Sequence, residues 1–168
     1  MNQHCNAYRD TKMNGMSERM RTKNWERAGI LYARVAVGAA FLSAVASRFG
    51  LWDKTLDLKH FAHFIEYTAE VNSFLPRVVI PCAAVVVTIC ETSLGILLIL
   101  GLWPRWVSLA SAALLAMFGT AMAISFGLES PMDYSVFSAS GAAVLLALDA
   151  FRQKKGRFSN RGVGEESQ

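Results

Sequence analysis

Three ionisable residues fall inside long apolar stretches of this 168-residue chain: Arg34, Glu91 and, near the end of the last stretch, Asp149. A charge at bilayer depth costs at least about 2.5–3.5 kcal/mol, so each should face protein with a partner. Glu91 shares a helical side with Ala84, Thr88, Thr92 and Gly95, a small and polar stripe that turns it inward. A carboxyl buried there without a cation would keep its proton, which suits proton exchange or a hydrogen bond to a quinone carbonyl. A structural polar contact between helices carries equal weight. Glu91 is therefore the best catalytic candidate, with no catalytic residue established.

Depth decides the partners. At 1.5 Å per residue, Arg34 sits about 8 Å from the cytoplasmic end of its helix and Glu91 about 16 Å. Side chains lean toward their helix N-terminus, so on antiparallel helices these two tilt apart. The expectation is two polar layers. One pairs Arg34 with Asp149; the other sets Glu91 against Thr120, Ser140 or Arg48, with Thr88 beside it.

Four apolar stretches must position these groups: 28–49, 78–102, 107–126 and 134–151. Each approaches the roughly 20 residues that cross about 30 Å of hydrocarbon, the fourth being shortest. With 53% hydrophobic residues, a mean hydropathy of +0.29 and 18% charged residues gathered at the ends, the fold class is all-α. It is a four-transmembrane-helix bundle over 28–151 between basic tails, 1–27 and 152–168, whose polar composition predicts disorder. No signal peptide is expected, because 27 polar and basic residues precede an apolar run too long for one. Lys and Arg crowd both tails and Arg105, whereas the 127–133 turn has only Glu129 and Asp133. Both termini should be cytoplasmic in a bacterial inner membrane. Positive-inside charge accounts for the net +4, and no nucleic-acid motif is present.

The connection 50–77 contains an amphipathic outer helix at about 56–74, with Asp57 as N-cap and Pro76 limiting its far end. Leu58, Phe61, Phe64, Ile65, Thr68 and Val71 form its apolar side; His60, His63, Glu66, Tyr67 and Glu70 form the other. His63, Glu66 and Glu70 share a face at spacings that metals use in helical bundles. A solvated face with local charge pairs outweighs that reading, and no metal is expected. Cys5, Cys82 and Cys90 form no CxxC or ligand spacing, and read as small packing residues. Small residues four apart, such as Ala36, Ala40 and Ala44, allow close helix contact within the bundle or between copies in a homo-oligomer.

The stretches "ARVAVGAAFLSAVASRFGLW", "ETSLGILLILGLWPRW" and "SPMDYSVFSAS" resemble the DoxX family of small four-helix bacterial membrane proteins. The likeness rests on Arg34, Gly38, Phe41, Glu91, Gly95, Gly101 and Arg105, and covers about 28–150. Arg48 departs from the Lys that commonly ends the first helix. The resemblance implies a redox-associated, quinone-linked subunit or accessory protein, and if part of an enzyme, the membrane subunit of a quinone-linked oxidoreductase. Quinone is the implied cofactor; membrane lipid and redox or periplasmic proteins are the partners. A non-enzymatic scaffold using the outer helix and the basic tails is the alternative. A small transporter or proton path is weaker, because no inverted repeat or broken helix pair is visible.

Overall fold

A computed structural model describes residues 2–52 and 58–165, with side chains for 16, 18, 20–52 and 59–154. Six helices follow in order: α1 (Asn2–Arg48), α2 (Leu58–Val71), α3 (Ile80–Leu100), α4 (Pro104–Phe126), α5 (Glu129–Asp133) and α6 (Val136–Glu165). No strand occurs among the described residues. The chain falls into two compact units, 1–33 and 34–168. The first is helical from Asn2, with exposed Met16, Met20 and Trp25. Helix therefore runs through the stretch expected to be a disordered tail, and α6 likewise continues to Glu165. Both stretches lack proline, and the first is rich in Met, Arg, Lys and Glu, which favour helix.

Three helical segments are long and apolar enough to cross a membrane: Met20–Arg48, Ile80–Leu100 and Pro104–Phe126. The last helix is not among them. Its apolar part ends at Phe151 and carries Asp149, after which Arg152, Gln153 and Lys154 dilute its hydropathy. The outer helix is shorter than the 56–74 expected from its pattern, and the expected N-cap Asp57 lies outside the described residues.

The turns that space the helices follow from local chemistry. α3 ends where Gly101 adopts φ +73°, and the N–H groups of Gly101 and Leu102 return to the Leu97 carbonyl. That left-handed ending favours glycine. Pro104 and Arg105 then open α4 earlier than residue 107, because proline at the first helical position sacrifices only an N–H that has no partner there. Trp103 reaches φ 42° to make the corner. At the far end Ser135, φ 53°, breaks the chain between α5 and α6.

Packing in the second unit depends on small residues, since lipid supplies no hydrophobic drive between helices. α1 and α3 meet backbone to backbone: a Cβ at Gly38 would lie 2.9 Å from the Gly95 carbonyl oxygen, and one at Gly95 would lie 3.0 Å from that of Gly38. α4 and α6 close through Gly119, whose missing side chain makes room for the Phe137 ring, and through Ala143 and Ala147, both buried. Val37, Phe41, Leu98 and Val107 join α1, α3 and α4 in one apolar core.

Gly38→Val should lower stability by about 1–3 kcal/mol through overpacking. Gly141→Ala, where an added Cβ meets nothing within 4 Å, should be neutral or raise it by about 0.5–1 kcal/mol. Unfolding of the purified protein in detergent, followed by circular dichroism, measures both.

Candidate functional site

α1 ends in Arg48, and the inward stripe of α3 presents Thr88 and Glu91 at the same level. Arg48 Nη1 pairs with Glu91 Oε2 and donates to Thr88 Oγ1 at 3.0 Å; the Thr88 hydroxyl donates to the Ala84 carbonyl at 2.8 Å. The two charged side chains are 11% and 3% exposed, so the attraction acts in a low dielectric. α2 completes the centre from outside the span. Phe64 places its ring 3.8 Å from the Arg48 guanidinium carbon, and Phe61, stacked on Phe49 at 5.7 Å, holds the helix over the end of α1. The other end of α2 is tied to α4, where Ser125 Oγ donates to the Val71 carbonyl at 2.6 Å.

Beneath α2, and between α1, α3, α4 and the start of α6, lies a cavity of about 440 Å³. Arg48 and Glu91 form its charged wall. Phe41, Phe64, Val87, Phe118 and Met122 are among its apolar walls, with Tyr67, Thr68, Asn72 and Tyr134 at polar positions. Tyr67 stacks on Phe126 at 6.1 Å. Its hydroxyl is pushed above the usual range, chiefly by burial and then by Tyr134 and Glu70, so it stays a neutral donor at physiological pH.

The residues singled out from sequence take different roles. Among the partners considered for Glu91, the structure brings Arg48 to it, with Thr88 bridging through the same guanidinium nitrogen. Ser140 instead donates to the Ala112 carbonyl across the α4–α6 seam, and Thr120 to Ala116 on its own helix. The expected Arg34–Asp149 layer does not form. Arg34 Nε and Nη2 both donate to the Leu98 carbonyl, at 3.1 and 3.0 Å, and the guanidinium lies against Gly101, while Asp149 accepts from Gln153. A cation is satisfied here by a backbone carbonyl in the last turn of a helix, an acceptor invisible in a search for carboxylates.

His63 and Glu66 form an exposed pair at 3.6 Å, and Glu70 lies along the same helix. Among the described residues no group of three His, Cys, Asp or Glu could hold a metal ion. Cys82 and Cys90 are free and exposed on α3 rather than packed, because they lie off its inward stripe. The cavity itself was hidden in the sequence. Tyr67 belongs to the polar side of the outer helix by pattern, yet it lines the cavity, since a tyrosine can present a ring inward and a hydroxyl at the edge.

A family model described as methylamine utilisation protein MauE matches residues 26–133. This overturns the DoxX resemblance, because the matched model is that of a different membrane family and covers most of the 28–150 stretch on which that likeness rested. No curated protein and no solved structure matches the chain.

Arg48→Met leaves Glu91 buried without its cation and should cost about 3–5 kcal/mol. The double change Arg48→Met with Glu91→Leu removes both charges and should recover most of that loss. Chemical unfolding of the two variants in the same micelles checks the pair.

Proposed function

We propose a role that starts from membership: the chain belongs to the MauE family of methylamine utilisation proteins, and it acts as a redox-associated accessory component in the membrane. The observation that carries this reading is the coincidence of the family match, residues 26–133, with the helices that build the Arg48–Glu91 centre and its cavity. The partners on this reading are proteins of a methylamine dehydrogenase system, met at the membrane surface. The narrower form, a quinone-linked subunit, draws its support from the cavity alone. Glu91, buried on the inward stripe of α3, is the catalytic candidate on this reading.

The membrane is a bacterial inner membrane with both termini cytoplasmic, supported by the basic residues near both ends and the base-free 127–133 turn. That topology requires α6 to serve as a fourth span. Its burial against α4 through Ala143, Leu146 and Ala147 supports this, because a helix covered by protein on one face needs less lipid-facing hydropathy. Fluorescent-protein fusions after Gly127 and at the C-terminus should be dark and bright respectively. Bright fusions at the 127 turn and dark ones at the C-terminus would refute the orientation.

Deletion of the gene should abolish growth on methylamine, and Arg48→Met with Glu91→Leu should fail to restore it while accumulating at wild-type level. An opposite pattern distinguishes the scaffold reading. There the charge-free double variant restores growth, and reversal of His63, Glu66 and Glu70 on the exposed face of α2 removes it.

A further inference from the structure

The cavity beneath α2 has a chemical preference that its walls define. Its volume of about 440 Å³ lies within the range of sites that enclose a whole organic ligand. Methylammonium, about twice the ~30 Å³ share of a water molecule, would leave it nearly empty. A small amine is therefore not what this cavity is shaped to hold.

Charge narrows the class further. Arg48 and Glu91 already neutralise each other. An anionic or cationic headgroup would add an uncompensated charge in a low dielectric, where an isolated ion is very costly. A neutral oxygen acceptor faces no such penalty. A guanidinium has five N–H donors, and only Nη1 of Arg48 has acceptors among the described residues, Glu91 and Thr88. Nη2 and Nε remain to donate, on a side chain that lines the cavity. Two other polar groups on the wall are already engaged: Thr68 donates to the Phe64 carbonyl, and Asn72 to the Thr68 carbonyl, while the Tyr67 and Tyr134 hydroxyls add neutral polar positions that carry no charge. The remaining walls are aromatic, methionine and aliphatic, suited to a flat or chain-like apolar body.

We propose that this cavity binds a neutral, carbonyl-bearing amphiphile taken from the membrane, with its carbonyl oxygen on the Arg48 guanidinium and its apolar body among Phe41, Phe64, Phe118 and Met122. The inference rests on the reading of this cavity as the functional site. A quinone carbonyl and the ester carbonyl of an acyl lipid share the required chemistry.

The full chain, purified in detergent and extracted with organic solvent, is analysed by mass spectrometry and by an oxidised-minus-reduced ultraviolet difference spectrum. The wild-type protein should carry one such molecule per chain. A redox difference band identifies a quinone, and an ester without that band identifies an acyl lipid. Arg48→Met with Glu91→Leu should lower retention about ten- to a hundredfold, as expected for losing a charged hydrogen bond. Ala44→Phe keeps the ion pair and fills the cavity, and should lower retention as far. An empty wild-type protein, a bound fatty-acid anion or amine, or equal retention by all three proteins would overturn the proposal. Growth on methylamine is scored on the same variants. No ligand with Arg48-dependent growth defeats the ligand class alone, whereas bound ligand with Arg48-independent growth defeats the proposed function alone.

Discussion

Everything in the bundle is arranged around one electrostatic constraint: two opposite charges placed where neither is tolerable alone. Arg48 and Glu91 lie on α1 and α3, forty-three positions apart in sequence, and among the described residues each is the other's ion-pair partner. Because the desolvation cost is met only with good geometry, the pair demands that α1 and α3 hold a fixed depth and rotation. Gly38 and Gly95 provide this, bringing the two backbones together one helical stretch away from the charges. Thr88 adds a hydroxyl that accepts from the same guanidinium without a further charge.

α2 follows from the same constraint. An ion pair at the end of α1 would be open to whatever surrounds it unless an element covered it. Phe64 covers the guanidinium with a ring face, which attracts the cation. Pinned at Phe61 and at Val71, α2 bridges the gap between α1 and α4 without filling it, and the remaining space is the cavity. The site is thus the joint product of a membrane-type bundle and an amphipathic cover. Family membership enters at the level of these shared helices, while the ligand is a question about the walls.

A second cation, Arg34, shows how differently an arginine can be stabilised. It needs no carboxylate because the last turn of α3 offers the Leu98 carbonyl and the negative end of a helix dipole. Gly101 serves twice there, taking the left-handed conformation that ends the helix and leaving space for the guanidinium. Arg34 thereby fixes the α1–α3 relation at the opposite end from Arg48, by a contact between a side chain and the backbone.

Much of the architecture was legible in the residues. Apolar stretches located α1, α3 and α4, and the small polar stripe on α3 turned Glu91 inward. These are local properties, set by helical period, backbone preference and the cost of exposing a charge to lipid. Periodicity also marked α2 as amphipathic, yet it could not say that Phe64 would meet Arg48 or that Tyr67 would edge a cavity. Partner choice was underdetermined as well: Arg48, Thr120 and Ser140 all lay near the level of Glu91, and only helix rotation and the tether of α2 selected among them. The sequence by itself determined that this chain is helical, suited to a membrane and burdened with buried charge. Tertiary structure decided which charges meet and where space is left, because those depend on how separate helices pack, which no single helix encodes.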